Sequence, residues 1–104
     1  MTTERNAKEV LHEILGHISF GDFLYSERMA QDMSQVEFAK FLGISKQDLC
    51  DIEKGRKKVG LDRAKIFAEK LDYPPAVVFK YVFEDQLYSL GFELDVQLKS
   101  KRNN

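Results

Sequence analysis

One cysteine, no tryptophan, two prolines and six glycines are spread over 104 residues. The lone Cys50 excludes an internal disulfide and any cysteine-based zinc cluster within one chain. With 43% hydrophobic and 32% charged residues and so few helix breakers, the composition excludes a low-complexity chain and predicts a helix-rich globular one. No apolar run approaches the roughly 20 residues that span a bilayer. Residues 1–6 place no apolar stretch behind a basic start, so no secretory signal is expected and a soluble, cytoplasmic protein is. At this length one small domain with an arm or tail is expected, not two separate cores.

Catalytic signatures are also missing. No Gly-rich phosphate loop occurs, and no pair of carboxylates accompanies a candidate nucleophile, so no enzymatic activity and no cofactor is expected. His12 and His17, five residues apart, would fall on different faces of a helix and have no accompanying ligand set, so no metal is expected either. The net charge of −1 conceals an uneven distribution. Residues 1–33 carry −3, residues 34–70 carry +3 from nine Lys and Arg against six Asp and Glu, and residues 71–104 carry −1. A central basic stripe between acidic flanks points to a polyanionic partner for the middle of the chain.

The apolar spacing divides the chain into helices. Ala7, Val10, Leu11, Ile14 and Leu15 recur at helical spacing, but a helix this short is marginal unless it docks on a partner. The run 16–21, with a glycine at each end, reads as a linker, and a second helical pattern starts near Asp22. Ser34 and Glu37 form a capping box, and Gly43 is placed to end that helix in the left-handed conformation. Ser45 caps the next helix, with Asp48 in its first turn and Gly55 at its end. A further helix is predicted over about 61–71, stopped by Pro74 and Pro75, and a last one from Pro75 to about Gly91. Residues 92–98 alternate apolar and polar, the strand period. A lone strand needs a partner, either a second copy of the chain or another protein.

Two short helices separated by little more than Gly43 and Ile44 must cross sharply, with Ala39 as the small residue at the crossing; this is a helix-turn-helix unit. Gln35, Phe38, Ala39, Leu42, Gly43, Ile44, Leu49 and Ile52 together resemble the Xre or Cro-type helix-turn-helix of phage and bacterial repressors. The resemblance implies an all-α, five-helix, lambda-repressor-like domain over residues 21–91. An N-terminal arm at 1–20 would precede it, and a strand-like segment with a polar tail at 92–104 would follow. It further implies a homodimer on a palindromic double-stranded DNA operator.

In such a domain the helix after Ser45 lies in the major groove. Lys46, Gln47 and Asp51 are then the expected base contacts, and Gln35, Ser45, Lys54, Arg56, Lys57 and Lys58 the expected phosphate contacts. Arg28 and Glu53 occupy positions that the resemblance pairs as a structural ion pair. The overall layout is also similar to HigA-type antitoxins, which implies a cognate mRNA-cleaving toxin, a small basic RNase, as second partner. Leu11, Ile14, Leu15, Ile18 and Phe20 are the expected toxin contacts, with 17–20 able to add a strand to a sheet edge. A stand-alone repressor without a toxin, and an interaction module that has lost DNA binding, are the competing readings.

Overall fold

A computed structural model describes residues 16–101. Five helices follow in order: α1 (Phe20–Ala30), α2 (Gln35–Leu42), α3 (Lys46–Glu53), α4 (Leu61–Leu71) and α5 (Pro75–Ser89). Among the described residues there is no strand.

Local chemistry sets most of the boundaries. In α2 the Ser34 hydroxyl accepts from the Glu37 N–H while the Glu37 carboxylate accepts from the Ser34 N–H, and Gly43 closes the helix at φ 80°. Ser45 caps α3 by accepting from the Asp48 N–H. The fourth helix ends before the prolines: Asp72 takes the left-handed conformation at φ 64°, leaving Pro74 and Pro75 to start α5.

Two expectations are corrected. The linker over 16–21 is shorter than its glycines suggested. Ser19 is an N-cap in a full capping box with Asp22, so Phe20 and Gly21 belong to α1. Phe20 is in the core, stacked on Phe67 with ring centroids 6.3 Å apart. The segment 92–98 pairs with no strand among the described residues. The chain turns at Gly91 (φ 94°) and runs back along α5, where Glu84 accepts from the Val96 N–H at 3.0 Å and Lys80 donates to Asp95 and to the Val96 carbonyl. At Val96 the helix surface satisfies backbone groups that the alternating pattern had assigned to a sheet.

The core is assembled from all five helices, with Leu24, Phe38, Leu42, Leu49, Ile52, Phe67 and Val78 fully buried. Aromatic contacts tie α1 to the C-terminal half: Phe23 stacks on Tyr81 at 4.6 Å and meets Tyr73 at 5.7 Å. The Tyr73 hydroxyl donates to Glu27 at 2.6 Å, and this bond together with burial pushes the phenol up to about 12. A raised phenol means that the fold holds the neutral form. Its contribution to stability is complete below the ordinary tyrosine value of about 10 and is lost as pH rises toward the folded value. Ultraviolet titration is therefore expected to show a tyrosinate step near pH 12 that Tyr73→Phe removes.

Candidate nucleic-acid interface

The second helix of the crossing pair, α3, is fixed from behind and presents its other side outward. Leu49 and Ile52 are buried against the core, whereas Lys46, Gln47 and Lys54 are exposed. At its C-terminal end Glu53 receives a bidentate fork from Arg28, Nε to Oε2 at 2.8 Å and Nη2 to Oε1 at 3.1 Å, and the Arg28 Nη1 donates to the Met33 carbonyl. The hydrogen bonds to Glu53 raise the Arg28 guanidinium above its ordinary value, despite burial acting the other way. Both side chains are almost wholly buried, at 10% and 5% exposure.

Gln35, an expected phosphate contact, joins the same knot. Its Nε2 donates to Glu53 Oε1 at 3.0 Å, so its side chain links the start of α2 to the end of α3. The Ser45 oxygen accepts from Asp48 N–H, which leaves its hydroxyl hydrogen able to donate to a phosphate at the helix N-terminus.

The basic loop after α3 is held against the helix by carboxylates. Asp48 pairs with Lys57, and with Arg63 of α4 at 2.8 Å; hydrogen bonds from Lys57 first and Arg63 second keep the Asp48 carboxyl below its ordinary value. Asp51, an expected base contact, directs its Oδ1 to Gln47 Nε2 at 3.1 Å and Arg56 Nε at 3.2 Å. Arg56 also points Nη2 at the Cys50 sulfur, 3.8 Å away. Lys58 is exposed at the tip of this loop. The organising roles of Asp48 and Arg63 were not read from the sequence, where Asp48 served only as a dipole partner. Their signal is a contact between residues fifteen apart, which no local pattern reports.

Lys46, Gln47 and Lys54 are thus exposed on α3, with Arg56 held to Asp51 and Lys57 to Asp48 beside them, Lys58 exposed in the same loop, and the helix N-terminus capped by Ser45. Base-edge donors at the front of a helix, flanked by cations, are what a major-groove reader requires. Lys58→Ala is expected to weaken binding to all duplexes alike and to lower the slope of log affinity against log salt by about one unit, as measured by a salt series on specific and random DNA.

The expected toxin contacts divide. Leu11, Ile14 and Leu15 lie outside the described residues. Ile18 is half-buried and Phe20 wholly so. Residues 17–20 are tied to α5: His17 Nε2 lies 2.6 Å from Asp85 Oδ1, its ring stacks on Tyr88 at 4.1 Å, and the Phe20 N–H donates to Asp85 Oδ2 at 2.8 Å. An apolar side chain with an open place in its own core is buried there first, which is why Phe20 is not free for a partner.

The arrangement defines an all-α, lambda-repressor-like DNA-binding domain. A helix-turn-helix family model matches residues 24–78, just over half the chain, and the chain belongs to that family, of the Xre/Cro-like type. It is a sequence-specific DNA-binding regulator. No curated protein and no solved structure matches it. Among the described residues no helix is long and apolar enough to cross a membrane.

Proposed function

We propose that this regulator is an antitoxin that reads a palindromic operator as a two-fold dimer, represses its own operon, and neutralises a cognate mRNA-cleaving toxin. The observation that carries the DNA half of the reading is the exposed front of α3, with Lys46 and Gln47 exposed and the loop residues Arg56 and Lys57 held to Asp51 and Asp48 of the same helix. Lys46 suits guanine O6 and N7, and Gln47 suits adenine. Ser45, Lys54, Arg56, Lys57 and Lys58 would hold phosphates, with Gln35 acting through Glu53 instead of touching DNA by its side chain. One such helix reads too few base pairs for operator-level discrimination, whereas two helices related by a two-fold axis read half-sites about one turn apart.

The toxin half rests on the layout shared with HigA-type antitoxins and on Leu11, Ile14 and Leu15, which recur at helical spacing in an acidic N-terminal stretch. Acidic side chains there suit a basic nuclease surface, chiefly by speeding encounter. On this reading the toxin-binding element lies within residues 1–15, which the ties of His17 and Phe20 to Asp85 support. The test is to delete residues 1–15 and measure operator binding and toxin neutralisation separately, using the product of the neighbouring reading frame as the toxin. Retained DNA binding with lost neutralisation is expected. Intact neutralisation would move the toxin site elsewhere, and a neighbour without toxicity would leave a stand-alone repressor.

A further inference from the structure

We propose that Asp51 is a positioning residue that sets the base preference of Gln47, instead of reading a base itself; the inference rests on the operator-reading function of α3 proposed above. Gln47 and Asp51 are four apart on α3, so their side chains lie one above the other on the outer face of the helix. An ionised carboxylate only accepts hydrogen bonds. The group of Gln47 that faces Asp51 must therefore be its NH2, as the 3.1 Å contact from Nε2 to Oδ1 has it. This fixes which way the amide is turned, a choice that a glutamine without such a partner leaves open.

The consequence is a defined pattern for a base. One N–H of Gln47 is committed to Asp51, and the other N–H and the Oε1 remain as a donor beside an acceptor. Adenine presents the matching pair in the major groove, an N7 acceptor beside an N6 donor. Guanine presents two acceptors, N7 and O6, and would set its O6 against the Gln47 oxygen.

Arg56 completes the device. Its Nε holds the same Asp51 oxygen at 3.2 Å, which orients the carboxylate and offsets its charge where a bare anion would repel phosphates. Through Arg56 the basic loop and the reading helix are coupled, so loop placement on the backbone and amide orientation at the base are set together.

The experiment is a selection from a random double-stranded DNA library with the full chain, comparing wild type with Gln47→Ala, Asp51→Ala, Asp51→Asn and the double alanine variant. Wild type is expected to enrich a motif with adenine at one position of each half-site. Gln47→Ala and Asp51→Ala are expected to lose that preference at the same position, by about 5- to 150-fold, while other positions stay sharp. The double variant should lose no more than either single one, and Asp51→Asn, which keeps an accepting oxygen, should retain the adenine. Loss of preference at a different position in Asp51→Ala would make Asp51 a direct reader and overturn the inference, as would an unchanged adenine preference or a uniform drop on all sequences. A Gln47→Ala profile identical to wild type would overturn the operator-reading role of α3 and this inference with it.

Discussion

Arg28→Ala is expected to cost about 3 to 5 kcal/mol of folding stability, read from urea unfolding, because it strands the buried Glu53 carboxylate. The fork from Arg28 supplies two of the hydrogen bonds to Glu53, and Gln35 supplies a third that cannot carry charge. Glu53→Ala is expected to cost a similar amount for the mirror reason, a buried guanidinium left with the Met33 carbonyl and the face of Tyr25 but no counter-charge. The two losses should not add: a double-mutant cycle is expected to return a coupling of about 2 kcal/mol or more. Coupling near zero would mean that each residue acts through packing alone. Arg28→Lys keeps the charge but loses the planar fork, so it should fall between wild type and Arg28→Ala. Since Glu53 ends α3, the same variants are expected to weaken DNA binding beyond what partial unfolding explains.

Gly21→Ala carries the second large effect. A Cβ on Gly21 would stand 2.8 Å from the Glu53 carbonyl oxygen and closer still to that of Ile52. These are backbone atoms at the end of α3, so the clash cannot be relieved by turning a side chain; α1 and α3 must separate. Overpacking of this kind costs about 3 kcal/mol, offset by at most about 1 kcal/mol of helix propensity gained over glycine. A net loss of about 2 kcal/mol or more is expected, with a recognition helix displaced from its seat. Gly60→Ser is the contrast. Nothing lies within 4 Å of a Cβ there, and serine would supply the side-chain cap that α4 lacks, so a gain of about 0.3 kcal/mol is expected.

The helix-turn-helix was legible because its signals are local. Ser34 with Glu37, Gly43, and Ser45 each fix a helix end within four residues, and the buried set from Phe38 to Ile52 follows helical spacing. What escaped the sequence depends on partners far along the chain. Gly21 looked like a linker glycine, yet it is a contact glycine whose reason is the carbonyl of Ile52. Phe20 looked like a spare apolar side chain until Phe67 gave it a place. The alternation of 92–98 has the period of a strand, but the Lys80 and Glu84 side chains on α5 bind its backbone, and tertiary context decides over period. In the site, residue types marked Gln35 and Asp51 for DNA contact but could not report the bonds they make within the chain, to Glu53 for the one and to Gln47 and Arg56 for the other.

The central claim is that α3 reads base edges in the major groove, twice, across a two-fold axis. Dimethyl sulfate footprinting on a duplex selected by the full chain tests it most directly, because the reagent reports guanine N7 in the major groove and adenine N3 in the minor groove separately. Two patches of protected guanine N7 are predicted, centred about 10 base pairs apart and related by the palindrome, with minor-groove adenines between them still reactive. Protection confined to the minor groove, or a single patch without a symmetry mate, would contradict the account.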